Sequence, residues 1–261
     1  MRAFRLAYDG TRYRGFQRQP HGDTVEDELF AALRALDAFS GEKPEGYAAA
    51  GRTDAGVSAR AQTVGFESPE WLTPRALNAE LPDSVRAWAF ADAPDGFHAT
   101  HHAQYREYVY HLHAPAVDDD RAREAARRLS GLHDFHNLTT DSKNTERDVS
   151  LSLERENEYL VVTARAGGFP RGLVRRLVAL LRDIAAGGSF DRLSRVLSPE
   201  PLDGPLGVPA APAHPLVLAD VGYDLDFEVD DRAAANCREV FESLAVERRT
   251  RARVADSLYS Q

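Results

Sequence analysis

The chain has 261 residues, 43% hydrophobic and 28% charged, the composition of a globular protein with one large domain or two small ones. That excludes a disordered, collagen-like or disulfide-dense class, and a lone Cys237 excludes an internal disulfide or a cysteine-based metal framework. Forty-one acids against 32 bases leave a net charge of −9, which by itself argues against a nucleic-acid binder.

In chain order, Phe4, Leu6 and Tyr8 alternate with Arg5 and Ala7, which predicts an opening strand. Asp23 and Thr24 can cap a helix whose stripe is Val25, Leu29, Ala32, Leu33 and Leu36. Short strands are expected around 47–50 and 62–66, with a glycine-flanked loop between them. Thr73-Pro74 opens a second helix that ends near Leu81-Pro82, and residues 85–91 read as extended. Residues 105–113 alternate strongly, and 120–129 predict a helix stopped by Gly131. Residues 149–155 and 159–165 flank Glu156-Asn157-Glu158 as a hairpin. A helix over 171–185 puts Leu173, Leu177, Leu180 and Ile184 on one face, with Arg171, Arg175 and Arg182 as a row of guanidiniums on the opposite edge. The prolines 199, 201, 205, 209, 212 and 215 predict a stiff connector before a last strand over 216–223. From Arg232 to about Arg249, Ala233, Cys237, Val240, Phe241 and Leu244 form a final amphipathic stripe, with Cys237 expected as inert core. Arg248, Arg249, Arg251 and Arg253 are expected as a basic end near that helix's C-terminus. Grouped strands with short connections favour an α+β class with an antiparallel sheet. No apolar run reaches membrane-spanning length, and arginines interrupt any signal-peptide core, so the expected location is cytoplasmic.

The charge is unevenly placed. Lys43 and Lys143 are the only lysines among the 32 bases, and arginine is the side chain suited to bidentate phosphate contacts and base stacking. Residues 1–18 carry Arg2, Arg5, Arg12, Arg14 and Arg18 against Asp9 alone, and 165–182 carry Arg165, Arg171, Arg175, Arg176 and Arg182 with no acid. An acidic chain with such patches can still hold a polyanion locally.

Five histidines cluster at 98, 101, 102, 111 and 113, without HExxH spacing or nearby carboxylate ligands, so polar or stacking roles outweigh a metal site. No GxSxG, Walker loop or GxGxxG is present. What remains is Ala50-Gly51-Arg52-Thr53-Asp54-Ala55-Gly56-Val57, a loop bracketed by glycines that permit close backbone approach to a ligand. Asp54 is either part of an Asx-turn with a surface ion pair or a carboxylate held ionised by a guanidinium for use as a nucleophile or base. Arg106, Tyr108 and Tyr110 share a strand face; such aromatics serve a core or, with arginine alongside, stack a base.

Several motifs now fall in one order. Tyr8-Asp9-Gly10-Thr11 with Gly15-Phe16-Gln17-Arg18-Gln19 resembles the N-terminal motif of the TruA family of tRNA pseudouridine synthases. Gly51 to Val57 matches that family's catalytic loop, and Gln62 falls where the family has Gln. Leu77-Asn78 to Leu81-Pro82 and Phe97-His98-Ala99 follow in order; Tyr108 sits at the family's active-site Tyr, and 169–178 resembles the helix with its active-site Arg, here Arg175. The resemblance spans residues 4 to 223. Phe16 stands for the usual Trp, Ser58 for a common His, Thr100 for a common Arg and Arg171-Gly172 for a frequent His pair.

The resemblance implies two ferredoxin-like halves joined through a central antiparallel sheet, the pseudouridine synthase fold: residues 1–100 with the catalytic loop, residues 101–225, and a charged helical tail over 226–261. It implies isomerisation of uridine to pseudouridine at positions 38, 39 and/or 40 of the tRNA anticodon stem-loop, with no cofactor and no metal. Asp54 and Arg175 would be catalytic, and Tyr108, Arg52, Gln17, Arg14, Arg106 and Arg171 would bind substrate. The implied partners are tRNA and a second copy in a homodimer, with neither DNA nor membrane. Two rivals remain: a catalytically silent RNA-binding protein of the same fold, and a histidine-based metallohydrolase.

Overall fold

Residues 1–202 and 207–259 are described by the computed structural model, so residues 203–206 of the proline-rich connector, Pro205 among them, lie outside the described part. The first half runs β1 (Arg2–Tyr8), α1 (Val25–Ala35), β2 (Ala48–Ala49), β3 (Ser58–Phe66), α2 (Pro74–Glu80) and β4 (Val85–Asp92). The second runs β5 (Tyr105–His113), α3 (Asp119–Leu129), β6 (Gly131–Asp134), β7 (Glu146–Glu156), β8 (Tyr159–Ala166), α4 (Leu173–Ala185), α5 (Asp191–Val196) and β9 (Leu216–Gly222). β10 (Glu228–Val229) and α6 (Asp231–Ser257) follow. No helix among the described residues is long and apolar enough to cross a membrane.

The strands form one sheet in the order β10-β4-β1-β3-β9-β5-β8-β7-β6, with β2 also on β3. Each half is built on a β-α-β-β-α-β unit whose fourth, first, third and second strands lie side by side, β4-β1-β3-β2 and then β9-β5-β8-β7, with β6 beyond β7 and the short α5 as additions to the second. This is the ferredoxin-like arrangement, and the class is α+β as expected. The seam departs from expectation. β3 meets β9 in parallel, Ser58 opposite Val217 and Ala59 opposite Leu218, within a sheet otherwise antiparallel.

Local chemistry sets the helix starts. Thr24 caps α1 in a reciprocal capping box with Asp27, and Thr73 caps α2 with Pro74 in its first turn. Asp118 accepts from the amides of Asp120 and Arg121 at the start of α3. The β7–β8 hairpin turns on Asn157, whose φ of 55° suits a residue that tolerates the left-handed region.

Two cores lie side by side. Phe4, Leu6 and Tyr8 pack with Leu29 and Leu33 of α1 and Leu77 of α2. Tyr110, Leu160 and Val162 pack with Leu129 of α3 and Leu177, Leu181 and Ile184 of α4. Each such leucine contributes about 1.5–3 kcal/mol when fully buried. Tyr108 touches both cores, which fixes it at the seam.

Several expectations are corrected. β3 begins at Ser58, not near Gln62: six successive residues, 61–66, are buried, so alternation is hidden. Arg171 precedes α4, whose cap is Gly172 in the left-handed region, so no row of three guanidiniums forms: Arg175 turns inward while Arg182 is exposed. The final stripe buries only Ala233 fully, and Cys237 is half-buried rather than core. α6 continues to Ser257 and its last turn contains no base, so Arg248 to Arg253 do not lie at a helix terminus. β10 and the start of α6 dock on β4, which draws the tail onto the first half's layer.

Candidate active site

A cleft of about 910 Å³ opens between the halves at the seam. The loop between β2 and β3 forms its floor, and it is braced from several sides. The Tyr8 hydroxyl lies 2.7 Å from Thr53 Oγ1, Gln62 Nε2 donates to the Gly51 carbonyl at 2.8 Å, and Phe16 N donates to the Thr53 carbonyl at 3.1 Å. Gly10 presses so closely on this loop that a Cβ there would lie 1.9 Å from the Val57 carbonyl oxygen. The Tyr8-Asp9-Gly10-Thr11 and Gly15 to Gln19 motifs are thus the wall against which the loop is held.

Asp54 sits on that floor, partly exposed, with Arg175 Nη1 donating to its Oδ2 at 3.2 Å. Arg175 Nε donates to the Ala211 carbonyl at 2.6 Å, and Ala211 N donates back to the Arg175 carbonyl at 3.0 Å. The proline-rich connector therefore aims the guanidinium at the carboxylate. The carboxylate's partner is Arg175, from the second half, rather than Arg52, its neighbour in sequence. Two other carboxylates line the cleft, but Glu26 accepts from Arg18 N and Asp141 from Arg171 N.

Tyr108 stands beside the pair, its ring edge-on to Phe169 at 5.4 Å and 86°. Burial pushes its phenol up to about 12; the Arg106 guanidinium opposes this, and the Asp54 carboxylate adds to it. Burial likewise raises the Tyr8 phenol despite its hydrogen bond to Thr53. Both hydroxyls are neutral hydrogen-bonding groups at ordinary pH.

All eight residues singled out in the sequence line this cleft, Arg14, Gln17, Arg52 and Arg171 as exposed side chains at its rim. Arg14 is weakly tied to Asp23 at 3.7 Å, both largely exposed. Arg106 is different. It is buried, donating to the carbonyls of Ala50 at 2.7 Å, Thr100 at 2.6 Å and Gly167 at 2.5 Å. Its fork is filled by three backbone segments that converge on the cleft, so it braces the walls rather than facing the opening. Sequence reasoning missed Arg147 of β7, Lys43 and the rim role of His98, which also line the cleft; Arg147 comes from a strand remote from every motif and carries no local signal.

The departures from the family pattern have local explanations. Phe16 is fully buried beside Tyr8; Ser58 Oγ accepts from Gly10 N at 3.1 Å; Thr100 Oγ1 donates to the Ala49 carbonyl at 2.6 Å. Gly172 takes a φ of 69° at the start of α4, a conformation glycine adopts without strain. His111 and His113 are exposed on β5, and no group of three His, Cys, Asp or Glu side chains among the described residues could hold a metal.

A family model described as tRNA pseudouridine synthase matches residues 125–224. The chain is 59% identical over 263 residues to tRNA pseudouridine synthase A of Natronomonas pharaonis, covering 99% of this chain and 98% of that one. It is 56% identical over 262 residues to the protein of the same name from Halobacterium salinarum, with the same coverage. Among solved structures, an H/ACA ribonucleoprotein bound to a substrate RNA containing 2′-deoxyuridine aligns with 71% of this chain and 44% of its own, at 15% identity and a TM-score of 0.37. By its near full-length identity to these synthases, the chain belongs to the tRNA pseudouridine synthase A family, enzymes that isomerise uridine to pseudouridine in tRNA.

Proposed function

We propose that this enzyme acts on uridine at positions 38, 39 and/or 40 of the tRNA anticodon stem-loop, with Asp54 as the group that attacks the flipped-out uridine or removes a proton from it. The observation that carries this reading is the Asp54–Arg175 pair on the cleft floor beside Tyr108. In the reaction the C1′–N1 bond breaks, uracil turns, and a C1′–C5 bond forms. C5 loses a proton and N1 gains one, so the product is an isomer and no cofactor is needed.

A glycosidase flanks its bond with two carboxylates and admits water. An isomerase must retain its leaving group, and water in the site would hydrolyse the substrate. One carboxylate free to face substrate, with an arginine across it, suits that requirement. Arg175 holds the Asp54 carboxylate in place through its 3.2 Å contact and fills space when the nucleotide leaves. The Tyr108 ring stacks on uracil, with Phe169 fixing its plane. Arg14, Gln17, Arg52 and Arg171 grip the RNA backbone at the rim, and such contacts offset base extrusion, which costs a few kcal/mol. Arg106 acts indirectly, by holding the Asp54 loop and the opposite wall together. The reading extends to a cytoplasmic homodimer that holds one tRNA across both subunits, recognising mainly its shape; sedimentation with and without tRNA tests that stoichiometry.

The test uses unmodified tRNA tritiated at uridine C5. Release by the wild type and none by Asp54→Asn, with binding retained, is the expected result. Equal release by both would remove Asp54 from the centre. No release by either, with binding intact, would favour a silent RNA-binding protein.

A further inference from the structure

α6 is 27 residues long, about 40 Å at 1.5 Å per residue. It lies on β4 and α2 over its first turns, and every described residue from Val246 onward is exposed. Its charge divides where it leaves the body. From Asp231 to Glu247 the acids are Asp231, Glu239, Glu242 and Glu247 against Arg232 and Arg238; from Arg248 to Ser257 the bases are Arg248, Arg249, Arg251 and Arg253 against Asp256.

The macrodipole does not account for those arginines, since it acts within the last turn and that turn has no base. Nor do carboxylates absorb them. Among the described residues Arg251 pairs with Glu247 across one helical turn, and neither Arg249 nor Arg253 is within salt-bridge distance of an acid. Arg249 and Arg253, four apart, share a face. One arginine is spent on anchoring: Arg248 Nη2 donates to the buried carboxylate of Asp9 at 2.6 Å and to Thr11 Oγ1 at 3.1 Å. That anchor lies on the turn whose Gly10 presses against the catalytic loop, and the exposed Arg12 follows directly.

We propose that the exposed turns of α6 from Arg248 to Ser257 form an arm that grips the phosphate backbone of tRNA outside the cleft, with Arg249, Arg251 and Arg253 as its contacts and Arg248 as its fixing point. The inference rests on tRNA being the substrate. Within a chain of net charge −9, the guanidiniums of Arg249 and Arg253, without an acid partner among the described residues, and of Arg251, paired only with Glu247 of its own helix, stand on a helix tied to the active-site wall and complement a polyanion already held next to it.

The test is binding of an unmodified tRNA transcript across a salt series, with the full chain and with the triple variant Arg249→Ala, Arg251→Ala, Arg253→Ala. Alanine preserves the helix. The variant is expected to bind about tenfold more weakly, with a slope of log K against log salt shallower by about 2–3, since each phosphate contact adds about 0.9. Turnover at saturating tRNA stays within about twofold, a bound that holds because none of the three lines the cleft. The triple lysine variant restores the slope. Unchanged affinity and slope would overturn the arm while leaving the tRNA reading intact. A variant that sediments as a smaller species than wild type would assign these turns, with the exposed Val246 and Val254, to a second copy instead. Wild type that does not bind tRNA at all would overturn the substrate reading first, and the arm with it.

Discussion

The Tyr8 hydroxyl and Thr53 Oγ1 meet at 2.7 Å in the buried layer under the Asp54 loop. The contact joins the opening strand to the residue that precedes the proposed catalytic carboxylate. Removing one buried partner leaves the other unsatisfied, at a cost of about 1–3 kcal/mol. Tyr8→Phe is therefore expected to lower the urea midpoint and to reduce kcat more than KM, because the loop loses its floor while the rim stays intact. An unchanged midpoint would mean that water or Gln62 satisfies Thr53 equally well.

Arg175 uses two nitrogens in two directions, Nε toward the Ala211 carbonyl and Nη1 toward Asp54. A lysine ammonium is a single point charge and cannot span both. Arg175→Lys keeps the charge and loses the aim. A misplacement of about 1 Å near reacting atoms costs on the order of a hundredfold, so turnover should fall by about that factor with tRNA affinity nearly constant. Single-turnover rates against filter-binding constants separate the two; a loss confined to affinity would make Arg175 an RNA contact only.

Tyr108 is expected to act through its ring. Its phenol is pushed up to about 12, so it stays protonated across the neutral range and gives turnover no pH step there. Tyr108→Phe should retain turnover within about tenfold, whereas Tyr108→Ala should lose the stacking contact, worth about 1–3 kcal/mol per base. The sign for stability follows from a raised folded value. An unfolded tyrosine ionises near pH 10, so between about 10 and 12 the unfolded chain gives up its proton first and stability falls as pH rises. Tyr8 and Tyr223 are raised as well, so Tyr108→Phe should soften the alkaline decline without abolishing it. Equal denaturant midpoints for wild type and variant at every pH up to 11 would contradict the burial of this hydroxyl.

The Asp54 loop was legible because its glycines, its single carboxylate and the flanking motifs are local patterns. The face shared by Arg106, Tyr108 and Tyr110 was legible too, by strand periodicity. Periodicity gives a face without saying what covers it, and only the fold turns the Arg106 fork onto Ala50, Thr100 and Gly167 instead of toward the opening. β10 went unread because its two residues lie in an acidic run; an edge strand can form from main-chain pairing with Phe90 and Ala89 alone. α5, six residues long, and β6, four long, are too short to show a period. The parallel seam of β3 and β9 depends on how two halves distant in sequence meet, which no window of residues encodes.

The Arg248–Asp9 contact gives the tail a measurable acid dependence. Burial alone would raise the Asp9 carboxyl, but the hydrogen bonds from Arg248 and Thr11 outweigh it and hold it below its ordinary value. A depressed carboxylate contributes stability that is present above the unfolded value of about 3.9 and is lost as pH falls through the folded one. Arg248→Ala should therefore cost stability at neutral pH. Asp9 is buried but Arg248 is half-exposed, so solvent screening keeps the cost to about 1–2 kcal/mol rather than the larger figure for a fully buried pair. The difference between wild type and variant should shrink as pH drops below about 4, where protonation of Asp9 removes from the wild type the pair that the variant already lacks. Hydrogen exchange in the turns around Arg248 should rise in the variant at neutral pH, with the first turns of α6, held by Asp230 at the cap, unaffected. A stability difference that persists undiminished at pH 3 would mean that Arg248 acts through packing rather than through its charge.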